Sequence, residues 1–205
     1  MSDQRTAEWF AERCGKVTAS RVADVMDFKR DGSSSAARDA YLAEIVAERL
    51  SGETYEHFVS KPMQWGIDVE PEARGAYEAI ERTFVDLVGF VPHPMIANAG
   101  ASPDGMVGAD GLIEIKCPNT STHIKTLIRG TGDPQYTDQI QWQLACTGRD
   151  WCDFVSFDPR IPAPMSLFIA RVKRSDERIA ELHRGVVRFL AEVDEIIERL
   201  QETYA

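Results

Sequence analysis

Residues 102–116 read SPDGMVGADGLIEIK and carry the strongest local signal in the chain. The last residues alternate in polarity, which predicts a strand with Ile113 and Ile115 on one face. Glu114 and Lys116 then lie on the opposite face. The run Gly-Ala-Asp-Gly between the two halves is typical of a tight turn. The two halves are therefore predicted to be neighbouring antiparallel strands of a hairpin.

The length of the turn determines which side chains face each other across this hairpin. A loop of three or five residues places Asp104 opposite Glu114, with both carboxylates on one face. A loop of four residues places Asp104 opposite Ile115 and separates the two carboxylates. In the first two registers, the carboxylates and the Lys116 ammonium converge at a spacing of roughly 5–8 Å.

Two carboxylates at this spacing repel each other unless positive charge lies between them. Lys116 supplies part of that charge. A hard divalent cation, Mg²⁺ or Mn²⁺, supplies more, because such ions prefer carboxylate and carbonyl oxygens. A cation held in this way lowers the pKa of a bound water and binds phosphate oxygens, which points to phosphodiester hydrolysis. The alternative is the polar face of an ordinary half-exposed sheet, which has the same alternation.

The composition is that of a globular protein, with 205 residues, 43% hydrophobic and 27% charged. It predicts a single domain over residues 1–205 with a sizeable core. No apolar run approaches the roughly 18 residues of a membrane span, and the first residues lack a signal-peptide core. The four cysteines include no Cys-x-x-Cys pair, so we expect free thiols rather than a zinc or iron–sulfur site.

The formal net charge of −10 argues against a nucleic-acid-binding protein, but the charge is unevenly distributed. Residues 116–130 contain three basic residues and no acidic residue, and residues 13–30 contain five basic residues and two acidic ones. From residue 176 onward there are eight acidic residues and four basic ones. The sequence therefore predicts a basic site on an acidic body.

Hydrophobic periodicity and capping residues predict the order of the elements. Helices are predicted at 6–13, 18–26, 35–50, 63–83, 121–128, 134–147 and 175–200, and strands at 84–91, 101–107, 112–117, 151–158 and 166–173. Pro71 predicts a kink or a new start in the fourth helix. The order indicates an α/β fold of the α+β kind, with a mixed sheet flanked by helices. His123 is expected at the surface, and no histidine is assigned a role.

Several short motifs occur in an order that resembles the PD-(D/E)xK nuclease core. Within that group, the chain is similar to the lambda-exonuclease and YqaJ-type family of viral recombination nucleases. The resemblance extends from Trp9 to about Pro159 and implies a restriction-endonuclease-like fold. It rests on Trp9 with Arg13, Gly15 and Thr18-Ala19-Ser20, Trp65-Gly66 before Glu70, Ser102-Pro103-Asp104-Gly105, Glu114-Ile115-Lys116-Cys117-Pro118 with Thr120-Ser121, Gln139-Ile140-Gln141, and Asp158-Pro159-Arg160.

The resemblance implies a Mg²⁺-dependent 5′-to-3′ exonuclease on double-stranded DNA that leaves 3′ single-stranded overhangs for phage-type single-strand annealing recombination. It implies two metal ions, with Mn²⁺ able to substitute. Asp104, Glu114 and the carbonyl of Ile115 would hold the metals, and Glu70 would reach the second metal through water.

The resemblance also assigns residues to the water and to the DNA end. Lys116 would place or activate the attacking water, with support from Gln139. Arg13, Ser20 and Ser102 would surround the terminal 5′-phosphate, since a guanidinium and hydroxyls suit that group. From sequence alone, the preferred interpretation of Arg13 is an ordinary surface charge at a helix end.

Further DNA contacts follow from the same resemblance. Met63 falls at the position of an apolar wedge that parts the strands, although an isolated methionine also fills cores. Arg30 falls where an arginine contacts the duplex ahead of the active site. Thr122 stands where the family has a basic residue, and Lys125 is the candidate to replace that contact.

The expected partners are double-stranded DNA with a 5′-phosphorylated end and a phage single-strand annealing protein. The resemblance implies a homotrimeric ring, no membrane association, and a cytoplasmic location in a bacterial host, with phage or prophage origin. A structure-specific or restriction-type endonuclease shares Asp104, Glu114 and Lys116, so it remains the alternative.

Overall fold

The computed structural model describes residues 4–55 and 59–204. The helices are α1 (Ala7–Arg13), α2 (Val22–Val25), α3 (Ala36–Ser51), α4 (Lys61–Glu81), α5 (Thr120–Arg129), α6 (Thr137–Thr147) and α7 (Asp176–Tyr204), with short 3₁₀ turns at Ala19–Arg21 and Pro134–Tyr136. The strands are β1 (Val17–Thr18), β2 (Val85–Asp86), β3 (Val91–Pro92), β4 (Ala99–Ala101), β5 (Gly105–Val107), β6 (Gly111–Lys116), β7 (Trp151–Phe157) and β8 (Leu167–Lys173). None of the described helices is long and apolar enough to span a membrane.

The main sheet has five strands in the order β2-β5-β6-β7-β8. The β6 and β7 strands run parallel, and the other neighbours are antiparallel, so the sheet is mixed as predicted. A second sheet of three short strands has the order β1-β4-β3. The candidate hairpin strand β6 therefore lies at the centre of the main sheet, where both of its faces are covered.

Helices cover both faces of the main sheet through separate apolar clusters. On one face, Ala73 and Tyr77 of α4 pack with Ile113 and Ile115 of β6. On the other face, apolar residues of α6 pack with Leu112, also of β6. The opposite side of α6 contributes to a third cluster with α2, α3 and α7. As a result, α6 is held rigidly over the polar face of β6.

Most helix boundaries follow their capping residues. The Ser35 hydroxyl accepts a hydrogen bond from the backbone of Arg38 at the start of α3. Gly52 ends that helix with a positive φ of 73°, a conformation that glycine adopts without steric cost. Pro71 neither ends α4 nor starts a new helix, because α4 continues through it. The prediction of a new start at Pro71 was therefore wrong.

Two predicted strands are each divided between the sheets. The segment predicted at 84–91 forms β2 in the main sheet and β3 in the small sheet. The single strand predicted at 101–107 is interrupted at Pro103, because proline has no N–H to donate to a neighbouring strand. Residues before the interruption belong to β4, and residues after it form β5. These interruptions let the chain pass from one sheet to the other beside Asp104.

Candidate active site

The hairpin has a three-residue loop, which is one of the two registers that bring the carboxylates together. Gly105 pairs with Ile113, and Val107 pairs with Gly111. Asp104 precedes the first paired residue and therefore lies beside Glu114. Its Oδ2 accepts a hydrogen bond of 2.6 Å from the backbone N–H of Ile115. The structure thus brings Asp104 to the strand that carries the other two predicted catalytic side chains.

Glu114 is almost completely buried, with 1% of its surface exposed, and all of its described partners are hydrogen-bond donors. Its Oε1 lies 2.6 Å from the Nε2 of Gln139 and 2.5 Å from the Nζ of Lys116. Its Oε2 accepts a hydrogen bond of 2.6 Å from the Nε2 of Gln143. The two glutamines are four residues apart on α6, so they project from the same face of that helix and hold the carboxylate in one orientation.

Lys116 is the positive charge of the cluster. Withdrawal from water lowers the pKa of its ammonium, but the negative charges of Glu114 and Asp104 outweigh that effect and raise the pKa above its ordinary value. The Nζ also lies 4.7 Å from the ring centroid of Tyr136, a cation–π distance. In this arrangement Lys116 is protonated and serves as the counter-ion of the two carboxylates.

Asp104 is difficult to ionise although Lys116 is close to it. The pKa of Asp104 is raised well above its ordinary value, first by removal from water and then by the negative charge of Glu114. Lys116 opposes this shift, and Glu70 adds to it. Ionisation of both carboxylates is therefore unfavourable even beside Lys116, and a bound divalent cation would favour it.

Glu70 lies on α4 and acts on the site from the facing helix. Its Oε2 is 2.6 Å from the guanidinium of Arg5, and its Oε1 is 4.0 Å from that of Arg74. Because Glu70 raises the pKa of Asp104, it is within electrostatic reach of the cluster. Among the described residues, no three His, Cys, Asp or Glu side chains are close enough to form a metal cage by themselves. Asp104 and Glu114 nevertheless offer hard oxygen donors, and the Ile115 carbonyl would add a third for a divalent cation.

Arg13 and Ser102 form a second group beside Asp104. The Arg13 guanidinium donates a hydrogen bond of 3.2 Å to the Ser102 hydroxyl, which also accepts one of 3.0 Å from the indole of Trp9. The guanidinium lies 4.1 Å from the Trp9 ring centroid, and burial lowers its pKa. Since Ser102 is two residues before Asp104, an anion bound here lies next to the carboxylates. Arg13 is thus half-buried and positioned, not a free helix-end charge.

The remaining predicted DNA contacts are side chains at the surface. Ser20 is exposed, and its hydroxyl is 3.3 Å from that of Thr18. Met63 is 52% exposed near the start of α4. Arg30 and Lys125 are exposed in a turn and on α5. Their surface positions are compatible with contact to a large ligand, and their roles stay predictions.

Four residues that surround the site were given no role from the sequence. Gln143, Trp9 and Tyr136 each contact a predicted site residue, and Arg5 pairs with Glu70. For Gln143 a signal existed, because it follows Gln139 by one helical turn. The contacts of the others depend on which elements meet in the fold.

The prediction for His123 was wrong, because its side chain is fully buried. Its ring nitrogens lie 2.7 Å from the hydroxyl of Ser156 and 2.9 Å from the carbonyl oxygen of Met165. The amphipathic helix α5 turns this polar residue toward the sheet, where both of its nitrogens find partners. His123 therefore ties α5 to β7 and does not point to solvent.

The chain that follows Lys116 is anchored by a buried carboxylate. Asp158 has no exposed surface and binds the Arg160 guanidinium at 2.7 Å. Burial opposes ionisation of Asp158, but hydrogen bonds from Arg160 and Thr120 dominate and lower its pKa to about 2. Arg160 also donates to the carbonyl of Pro118 at 3.0 Å. This bridge fixes the exit of β6 and with it the backbone of Lys116.

Comparison with known proteins identifies the fold and the family of this chain. The crystal structure of an alkaline exonuclease (LHK-Exo) from Laribacter hongkongensis is 49% identical, with a TM-score of 0.90 over 97% of each chain. The structure of LHK-Exo in complex with dAMP is 50% identical, with the same coverage and TM-score. A phage-related exonuclease from Haemophilus somnus 129PT, at 16% identity, covers 90% of this chain and 96% of its own with a TM-score of 0.71, which shows a shared fold. The predicted restriction-endonuclease-like PD-(D/E)xK fold is confirmed.

A search of curated proteins found no match. The family model described as the YqaJ-like viral recombinase domain matches residues 8–150, which is more than half of the chain. The matched region contains Asp104, Glu114, Lys116 and Gln139 together with the Arg13–Ser102 pair. The chain therefore belongs to the family of YqaJ-like viral recombinase domains.

Proposed function

We propose that this protein is a Mg²⁺-dependent exonuclease that degrades one strand of duplex DNA from its 5′ end and leaves a 3′ single-stranded overhang. One observation carries the proposal: Asp104, Glu114 and Lys116 form a charged cluster beside the Arg13–Ser102 pair. The charged cluster would carry out hydrolysis, and the neighbouring Arg13–Ser102 pair would bind the terminal phosphate. The similarity to a protein named an alkaline exonuclease supports it.

The carboxylates of Asp104 and Glu114 and the carbonyl of Ile115 would hold Mg²⁺, and Glu70 would reach a second ion. Mn²⁺ is expected to substitute because it accepts the same oxygen donors. When bound, the metal ions would lower the pKa of a water and stabilise charge on the scissile phosphate. The ionisation of Asp104 is unfavourable in the absence of a cation, and a bound cation would offset that cost.

The protein's own groups would position the reacting atoms. The Lys116 ammonium donates hydrogen bonds and can hold the attacking oxygen beside the phosphate, while Gln139 and Gln143 prevent Glu114 from rotating. Such positioning accounts for much of the rate in phosphoryl transfer. Arg13 and Ser102 would fix the register of the strand by binding the phosphate at its 5′ end.

The reaction is tested with linear and covalently closed duplex DNA, each incubated with Mg²⁺ and with a chelator. An exonuclease degrades the linear duplex, releases label from its 5′ end first, and leaves the closed circle intact. Cutting of the circle would instead support the structure-specific or restriction-type endonuclease. Activity that persists in chelator would contradict the metal requirement.

Arg13→Ala is expected to slow digestion of 5′-phosphorylated duplex by roughly tenfold or more, because a charge-assisted contact to phosphate contributes about 1.5–3 kcal/mol. Digestion of 5′-hydroxyl ends should change much less. The measurement is the ratio of the two initial rates. Equal slowing of both substrates would reject the terminal-phosphate role.

Gln143→Leu is expected to lower kcat by about 10- to 100-fold and to raise the Mg²⁺ concentration required, as loss of an outer partner of a metal ligand does. Gln141→Leu on the same helix is the control, because Gln141 bonds the backbone of Lys173 and Ser175 and not Glu114. Rates are measured across a Mg²⁺ titration. If both variants shift the titration alike, Gln143 has only a structural role.

We also propose that the protein acts as a homotrimeric ring in the cytoplasm of a bacterial host and passes its 3′ overhang to a phage single-strand annealing protein. The family resemblance supports this assembly. Light scattering of the purified protein gives the stoichiometry, and a mass other than three chains would contradict the ring. Co-purification with an annealing protein from the same phage or prophage tests the partnership.

A further inference from the structure

Two arginines on the C-terminal helix line a small pocket outside the carboxylate cluster. The pocket has a volume of about 240 Å³ and lies between the end of α2 and the middle of α7. Glu181, Arg184 and Arg188 line it from α7, and Phe28 and the buried Arg38 line it from the other side. Residues four apart on a helix are about 5–6 Å apart at their Cβ atoms. The two α7 arginines therefore present their charges on one face of the helix.

These two arginines lack ion-pair partners because the nearest carboxylates along the helix are already engaged. Glu181, three residues before Arg184, binds Arg178 at 2.5 Å. Glu192, four residues after Arg188, binds Arg38 at 2.9 Å. Among the described residues, neither Arg184 nor Arg188 pairs with a carboxylate, although the chain carries a net charge of −10. The result is a local excess of positive charge on an acidic protein.

Contacts of Arg38 hold the wall of the pocket that faces α7. The Arg38 guanidinium lies 4.9 Å from the Phe28 ring centroid and bonds the Val25 carbonyl at 3.3 Å. Phe28 itself is 45% exposed. The turn that follows it presents the exposed side chains of Lys29 and Arg30. Because the exposed Asp27 and Asp31 flank that pair, the excess positive charge at the pocket comes from Arg184 and Arg188.

We propose that Arg184 and Arg188 bind phosphate groups of the DNA backbone away from the site of cleavage. Guanidinium groups suit this ligand because they are always charged and bind phosphate oxygens through two parallel hydrogen bonds. The inference rests on the proposed function, since it supplies a DNA substrate. The phosphates can belong to the duplex or to a single strand, and the test separates the two.

The test compares wild type with the double variant Arg184→Ala/Arg188→Ala. Binding to a 5′-phosphorylated duplex and to an oligothymidylate is measured by fluorescence anisotropy in chelator, across a series of salt concentrations. Loss of two phosphate contacts should reduce the slope of log K against log salt by about 1.8 for duplex or about 1.4 for a single strand. The arm that shows the reduction identifies the source of the phosphates.

Two further variants make the outcome decisive. Arg184→Lys/Arg188→Lys keeps the charge and should restore most of the slope, whereas Arg199→Ala removes an exposed arginine of the same helix outside the pocket and should leave the slope unchanged. An unchanged slope for the double alanine variant would overturn the proposal. The proposal would also be overturned if the double alanine variant bound DNA more weakly and light scattering showed that its oligomeric state had changed. If wild type binds DNA but does not digest it with Mg²⁺, the proposed nuclease activity is contradicted. The proposal that Arg184 and Arg188 bind DNA phosphates is still tested by the salt slopes.

Discussion

Lys116→Ala should lower the rate of hydrolysis of linear duplex DNA by about 10³-fold, within the range seen when a proton-transfer or charge-stabilising group is removed. The ammonium lies 2.5 Å from the Oε1 of Glu114 and is the positive side chain of the cluster. Without it, nothing from this strand holds the attacking oxygen or donates to the phosphate. DNA binding should be largely retained, because Arg13 and Ser102 are untouched.

The rate is measured in single-turnover digestion with saturating Mg²⁺, and binding is measured separately in chelator. Lys116→Met serves as a second variant, since it keeps the volume of the side chain and separates loss of charge from loss of packing. Lys173→Met, at an exposed position on β8, is the control for removal of a lysine. Turnover within a few-fold of wild type in both Lys116 variants would remove this residue from its proposed role.

Asp104→Asn should likewise reduce hydrolysis by at least about 10²-fold, and it should at the same time stabilise the metal-free protein at neutral pH. The pKa of Asp104 is raised in the folded state by burial and by Glu114. The folded state therefore binds more protons than the unfolded state, and stability falls as pH rises from about 3.8 through the folded pKa. Asparagine cannot ionise, so it removes this loss while its side-chain oxygen can still accept from Ile115.

The two effects are measured by thermal unfolding with and without Mg²⁺. The metal-free variant should melt a few degrees above metal-free wild type at pH 7, since a small domain shifts by several degrees per kcal/mol. Added Mg²⁺ should raise the melting temperature of wild type and not of the variant, because only a bound ligand stabilises the fold. Asp110→Asn, in the exposed hairpin loop, should behave as wild type. An equal response to Mg²⁺ in both proteins would contradict metal binding at Asp104.

Local patterns were sufficient for much of the architecture. The alternation in β6 correctly separated Ile113 and Ile115 from Glu114 and Lys116. The α3 helix spans Ala36–Ser51, within one residue of the predicted bounds 35–50. Such features depend on side chains within a few residues of each other, so composition and spacing predict them directly.

Contacts between distant segments could not be predicted in the same way. The pairing of Glu70 with Arg5 joins residues 65 positions apart, and the Gln143 bond to Glu114 depends on how α6 crosses the sheet. The burial of His123 depends on partners from β7 and from the Met165 carbonyl. The hydrophobic periodicity of a segment does not indicate which distant side chain a polar residue will contact.

The order of residues in the chain was enough to place Glu114 and Lys116 on one strand face, because side chains alternate along any strand. The three-residue turn, the crossing of α6 and the approach of α4 were settled only by packing of the complete chain. Burial of the apolar faces selects that one arrangement, and it brings Asp104, Gln139, Gln143 and Glu70 within reach of Glu114 or its neighbours.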